Sequence, residues 1–161
     1  MDAEQARFLA LVNEHRRIVH RIASLYAVHS DDRKDLEQEV LLQAWQGWPR
    51  FRGDAKFSTW LYRIALNTAL TWNRRPAIVR TTREGELPDT GSDAPIRTDD
   101  ERERLHTAMR LLPSADRALL MLHLDGFDHA EAGTVLGLTA NHVAVKLHRI
   151  KTRLTELLNP H

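Results

Sequence analysis

The chain has 161 residues, 42% of them hydrophobic, and a formal net charge of +1, enough to build one large or two small hydrophobic cores. It contains no cysteine, which excludes disulfides and thiolate metal sites. No apolar run reaches the roughly 18 residues of a membrane span, and the N-terminus is too charged for a signal peptide. We therefore expect a cytoplasmic protein without membrane insertion.

Three stretches with helical spacing of apolar residues occupy the first 75 residues. The first is capped by Asp2, a good N-cap residue. The second begins near Ser30 or Asp31, either of which can cap it, and ends at Gly47. The third follows a polar loop and stops before Pro76, because proline disfavours a helical conformation at the residue before it.

Residues 76–99 contain three prolines and two glycines and show no apolar period, which is typical of a flexible linker. Helical spacing resumes near Asp100. The sequence therefore predicts an all-α fold with two small helical domains, 1–75 and 100–161, joined by the linker.

The segment 112–158 has the pattern of a helix-turn-helix. Asp128 stands three residues before Glu131, the spacing of a capping box ahead of a short helix. Gly137 closes that short helix, and Thr139 is a good N-cap for the last one. Short-helix, glycine-turn, long-helix patterns also occur in bundles that do not bind DNA, so that alternative stays open.

The last helix has an apolar stripe on one side and a polar, basic face on the other. Residues 140–153 hold four basic residues and no acidic one. Such a helix fits the major groove, where Asn pairs with adenine and Arg with guanine. The residues predicted to contact duplex DNA are Thr139, Asn141, His142, Val145, Lys146, His148, Arg149 and Arg153.

Two further stretches stand out in the first domain: Asp35–Trp45 (DLEQEVLLQAW) and Phe51–Asn67 (FRGDAKFSTWLYRIALN). The first offers a polar helix face for docking a partner. The second sets aromatic rings among basic residues, a combination that suits single-stranded nucleic acid. The alternative is that the aromatic residues in and near these stretches are buried in the hydrophobic core: Trp45, Trp48, Phe57 and Trp60.

Both stretches resemble region 2 of the extracytoplasmic-function (ECF) sigma factors, and the helix-turn-helix resembles their region 4. The resemblance implies a sigma factor that binds core RNA polymerase through the β′ clamp helices and the β flap. It also implies promoter DNA as ligand, an anti-sigma factor as a further partner, and no enzymatic activity of its own.

The resemblance assigns residues by position. Those implied at the polymerase interface are Asp35, Leu36, Gln38 and Glu39. Those implied at the −10 element are Arg52, Gly53, Asp54, Ala55, Lys56, Arg63, Asn67 and Arg74. The helix-turn-helix residues named above would read the −35 element.

The chain departs from the family pattern in three places. Lys34 stands where the family has an acidic residue, within a short acidic run ahead of the docking stretch. Some relatives that lack this run are activated by phosphorylation nearby, so the resemblance makes Ser30 a candidate for phosphorylation. Gly133 replaces an alanine in the short helix, and Asn141-His142 replaces the usual opening of the recognition helix. The −35 sequence is therefore expected to be atypical.

Other functions are less well supported by the sequence. It has no phosphate-binding glycine loop, nucleophile motif or His-Glu-x-x-His pair, so no catalytic residue, cofactor or metal site is expected. A stand-alone helix-turn-helix regulator remains the main alternative, and a protein that only sequesters a partner is the next.

Overall fold

The computed structural model describes residues 2–74 and 97–159. The first range contains α1 (Ala3–Glu14), α2 (Arg16–Tyr26), α3 (Ser30–Gly47), a 3-10 turn (Trp48–Arg50) and α4 (Phe57–Asn73). The second contains α5 (Arg97–Arg110), α6 (Ser114–Leu124), α7 (His129–Leu136) and α8 (Ala140–Leu158). Neither described range contains a strand, and the all-α prediction is confirmed.

The chain divides into two compact units, Met1–Thr90 and Gly91–His161. The linker predicted over 76–99 lies outside the described residues, apart from its last three, which begin α5.

The first apolar stretch forms two helices rather than one continuous helix. The capping box at Asp2 is present: its carboxylate accepts the backbone N–H of Gln5 at 2.7 Å. The break falls at His15, whose backbone N–H donates to the carbonyls of Leu11 and Val12, both at 3.1 Å. The ring Nδ1 of His15 also donates to the Leu11 carbonyl at 2.9 Å. These bonds satisfy the end of α1 and let the chain turn before α2.

The N-cap of α3 is His29, one residue before the predicted position, and its side chain makes no capping bond. Ser30 and Asp31 already lie in the first turn. The carboxylates of Asp31 and Asp32 in that turn favour this helix end because they face its positive pole.

The core of unit 1 is built around α4, against which both α2 and α3 pack. Its fully buried large side chains come from three helices: Ile22, Leu25, Leu36, Val40, Leu61 and Leu66. Each such side chain stabilises the fold by about 1.5–3 kcal/mol relative to exposure. This packing fixes which faces of α3 and α4 remain available on the surface.

Unit 2 contains the helix-turn-helix in α7 and α8. Asp128 and Glu131 form the predicted capping box, with the Asp128 carboxylate accepting the Glu131 N–H at 2.8 Å. Thr139 caps α8 by accepting the His142 N–H at 3.1 Å. Val143 and two further members of the apolar stripe are buried. The hydrogen bonds made by Asp128 and Thr139 confirm the two N-caps predicted for α7 and α8.

Gly133 has a specific role in the turn between α7 and α8. A Cβ at this position would lie 2.3 Å from the carbonyl oxygen of Leu138. The Gly133 carbonyl also accepts the Leu138 N–H at 2.8 Å. The turn therefore packs directly against Gly133. In this chain the packing of the turn requires a glycine at this position, where the family pattern has an alanine.

Candidate nucleic-acid interface

The loop ahead of α4 displays an exposed polar segment on an aromatic base. Its five residues are all exposed: Arg52, Gly53, Asp54, Ala55 and Lys56. Gly53 has φ +79°, a backbone conformation that residues with a side chain rarely adopt. Phe51 and Phe57 flank the loop and stack with centroids 5.8 Å apart, and Phe51 meets Trp60 edge-on at 5.0 Å. The loop is thus anchored at both ends.

Trp48 lies at the centre of the aromatic cluster beneath this loop. Its ring contacts Phe8 of α1 at 5.4 Å, Phe51 at 5.6 Å and Phe57 at 6.2 Å between centroids. Its indole N–H donates to Glu4 at 2.9 Å. Trp48 and Phe57 are buried, so the core interpretation holds for these two residues, while Trp60 is half-buried.

One exposed polar stripe runs along α4. Arg63, Asn67 and Arg74 all lie on the surface, as does Thr71, one turn beyond Asn67. The opposite side of the helix is buried, with Leu61 and six further residues of α4 in the core. Sequence reasoning missed Thr71, although its i+4 spacing from Asn67 places it on the same face.

The docking face predicted on α3 is only partly exposed. Asp35 and Gln38 are exposed, and Glu39 is half-buried. Leu36, in contrast, is 0% exposed, because it points into the core between α3 and its neighbours. The prediction that the Leu36 side chain contacts a partner directly is therefore wrong. Leu36 instead packs in the core beneath the exposed residues of this face.

Trp45 is also not where the core interpretation placed it. It is 38% exposed, beside Leu42 at 49% and Leu9 at 43%. These side chains line a groove of about 400 Å³ between α1 and α3, together with Gln5, Phe8 and Leu41. The predicted core position of Trp45 is therefore wrong, although its ring contacts Phe8 of α1 at 5.1 Å between centroids.

The face predicted to read duplex DNA lies on α8. The residues exposed there are Asn141, His142, Val145, His148, Arg149 and Arg153. Lys146 is half-buried, and Arg153 pairs with Glu156 at 3.4 Å. Val145 is 50% exposed, which provides an apolar contact within an otherwise polar and basic surface.

Comparison with known proteins identifies the family to which each unit belongs. Residues 11–77 match the family model for sigma-70 region 2, and residues 102–154 match that for sigma-70 region 4. The chain is 32% identical over 152 residues to the ECF RNA polymerase sigma factor SigM of Mycobacterium tuberculosis, covering 94% of this chain and 76% of the relative. The chain belongs to the ECF sigma factors. The resemblance stated from the motifs is confirmed.

Further relatives agree with this assignment. This sigma factor is 30% identical over 160 residues to the ECF sigma-E factor of Escherichia coli K12, covering 89% of this chain and 84% of the relative. Its fold matches CnrH, solved in complex with the cytosolic domain of CnrY, with a TM-score of 0.70, 24% identity and coverage of 96% and 89%. It equally matches RpoE of Bartonella quintana, solved with the anti-sigma factor NepR, at 0.70, 19% identity and coverage of 97% and 96%.

Among the described residues of the region 4 unit of this sigma factor, His123 and Asp128 have shifted pKa values. Burial, reinforced by the positive charges of Lys151 and His129, lowers the pKa of His123 below 6.5. The backbone N–H of Glu131 lowers the pKa of Asp128 below 3.8. Because folding lowers the pKa of this capping carboxylate, its contribution to stability is present above the ordinary value and is lost as the pH falls through the folded value.

Within residues 2–74 and 97–159, no three His, Asp or Glu side chains are grouped so that they could hold a metal ion. Among the helices of these ranges, none has the length and apolar character needed to cross a membrane. The curated relatives bear the names of sigma factors, not of enzymes.

Proposed function

We propose that this sigma factor binds core RNA polymerase and directs it to a specific set of promoters, without catalytic activity of its own. The observation that carries the proposal is the presence on one chain of an anchored polar loop before α4 and a capped helix-turn-helix. A simple regulator needs only the second. In this role, residues 1–75 bind polymerase and the −10 element, residues 100–161 bind the −35 element, and residues 76–99 connect the two domains. The role also places the protein in the cytoplasm.

The proposed polymerase contact is the exposed polar face in the middle of α3. Asp35 and Gln38 provide a charged and an amide group on one surface, with Glu39 at its edge. Such polar groups fit the β′ clamp helices, and unit 2 would bind the β flap. An anti-sigma factor is a further proposed partner, since the structural neighbour RpoE was solved with the anti-sigma factor NepR bound, and CnrH with the cytosolic domain of CnrY.

The proposed promoter contacts divide between the units. The loop 52–56 captures an unstacked base of the −10 element, while Arg63 and Arg74 hold the backbone on either side of Asn67. In unit 2 the N-terminal half of α8 enters the major groove, with Asn141 and Arg149 reading base edges.

Lys56→Ala tests the −10 assignment. Lys56 is an exposed cation at the end of the capture loop, and a charge-assisted hydrogen bond is worth about 1.5–3 kcal/mol. We expect open-complex formation, followed by permanganate reactivity of the −10 thymines, to fall about tenfold or more. Closed duplex binding should change little. Arg17→Ala, which removes an exposed cation from α2, should leave both unchanged.

Arg149→Ala tests the −35 assignment, and here the expected change is in the recognition of duplex DNA rather than in melting. A bidentate arginine–guanine contact discriminates by about 1–3 kcal/mol, so the variant should lose preference at one −35 base pair. Lys151→Ala is the matched control: Lys151 is an exposed cation of the same helix, which we expect to contact a DNA phosphate, so its loss should weaken binding to all sequences equally. Selection from a library randomised across the −35 element distinguishes the two, and an unchanged preference in Arg149→Ala contradicts the assignment.

A further inference from the structure

A polar pocket of about 210 Å³ lies between α3 and α4 in unit 1. The side chains that line it come from both helices: Glu39, Gln43, Asn67, Thr68, Thr71 and Trp72. The pocket thus brings Glu39, assigned by resemblance to polymerase, to the same place as Asn67, assigned to DNA. Gln43 and Thr71 had no assigned role.

The hydrogen bonds within the pocket decide what it can accept. The Gln43 amide nitrogen donates to a carboxylate oxygen of Glu39 at 3.1 Å. The Gln43 amide oxygen and the second Glu39 oxygen are hydrogen-bond acceptors in the same wall. The Thr68 hydroxyl donates to the Ile64 carbonyl at 2.7 Å, so its oxygen also remains an acceptor. The α3 side of the pocket, formed by Glu39 and Gln43, therefore offers acceptors and carries a negative charge, and Thr68 adds an acceptor from α4.

The α4 side of the pocket belongs to the polar stripe. Asn67 and Thr71 are one turn apart, with Arg63 one turn before them and Arg74 just after them. The arginines at the ends suit phosphates, and the short polar side chains between them suit base edges. The Glu39 carboxylate opposite repels a phosphate, so a base fits the pocket better than the DNA backbone does.

Helix geometry explains why Glu39 belongs here. Successive residues of an α-helix are rotated by about 100°, which separates Glu39 from the adjacent Gln38. Gln38 is exposed, whereas Glu39 is half-buried against α4 and bonded to Gln43, one turn further along. Gln38 therefore faces solvent, whereas Glu39, at the edge of the proposed polymerase contact, also borders the pocket.

We propose that Gln43 and Thr71 join Glu39 and Asn67 in a pocket that selects one promoter base by its exocyclic amino group. Carboxylate and amide oxygens accept hydrogen bonds from the N4 amino group of cytosine or the N6 amino group of adenine. Guanine and thymine present a carbonyl oxygen at the corresponding position, which the Glu39 carboxylate repels. The inference rests on the proposed function, because it takes promoter DNA as the ligand.

The test compares full-length variants with purified core polymerase on a promoter pool randomised across the −10 element, with transcripts sequenced. Wild type should prefer adenine or cytosine at one position. Gln43→Leu and Thr71→Val should each reduce that preference at least about fivefold, or about 1 kcal/mol, while other positions keep theirs. Gln46→Leu, an exposed glutamine of the same helix outside the pocket, should retain the wild-type preference.

A second arm removes the amino group from the DNA. Replacing the preferred adenine by purine, or the cytosine by 2-pyrimidinone, should cost wild type about fivefold in initiation and cost Gln43→Leu nothing. If wild type initiates but both pocket variants keep its preference at every −10 position, this inference is overturned and the proposed function stands. If wild type initiates from no promoter, both are overturned.

Discussion

Gly133→Ala should lower the stability of the helix-turn-helix and weaken −35 binding with it. Alanine in a helix gains about 1 kcal/mol over glycine. The added Cβ, however, would meet the Leu138 carbonyl oxygen at 2.3 Å, and that oxygen belongs to the backbone, which cannot rotate away. Overpacking costs about 1–3 kcal/mol and sometimes more, so the loss should exceed the gain. Thermal unfolding, with hydrogen exchange of α7 and α8 to locate the change, measures it.

Gly47→Ala is the matched control in the other unit. A Cβ at Gly47 would lie 3.5 Å from Trp60 Cζ2 and 3.8 Å from Ile64 Cδ1, both ordinary contacts. This variant should be as stable as wild type or gain up to about 1 kcal/mol. A Gly133→Ala protein at least as stable as wild type would contradict the tight turn onto Gly133.

Trp48→Ala should destabilise unit 1 by about 3–5 kcal/mol, the range for truncating a buried tryptophan. Trp48 is 7% exposed, and its ring joins α1 to both ends of the capture loop through Phe8, Phe51 and Phe57. Its loss leaves a cavity that neither loop end can fill. Denaturant unfolding should show the drop in the free energy of unfolding.

The same variant should impair open-complex formation at temperatures where unit 1 remains folded, because the loop 52–56 loses its anchor. Trp48→Phe retains most of the ring contacts and loses the hydrogen bond to Glu4, so its cost should be about 1 kcal/mol. Equal stability losses in the two variants would show that the aromatic contacts contribute little.

Local signals predicted much of this molecule. The capping residues Asp2, Asp128 and Thr139 act through neighbours three residues away, so the sequence alone contains both partners of each bond. The start of α4 at Phe57 and the exposed loop before it also follow from local composition. These features place the promoter-facing loop and α8 without knowledge of the tertiary packing.

Features that depend on packing could not be read in the same way. The helix break at His15 falls within a run whose apolar residues keep the same helical spacing on both sides of it. Leu36 and Trp45 occupy a helix whose two edges meet different neighbours, so their burial depends on where α1 and α4 lie. The pocket that joins Gln43 to Thr71 exists only because α3 and α4 pack side by side, and no local pattern encodes that pairing.

The central claim is that one chain both recruits core polymerase and selects promoters. Run-off transcription with purified core polymerase and a genomic promoter library tests it most directly. We predict initiation at a small, defined set of promoters that core polymerase alone does not use. No initiation above that of core alone, with duplex binding through the helix-turn-helix intact, would contradict the claim and favour a stand-alone regulator.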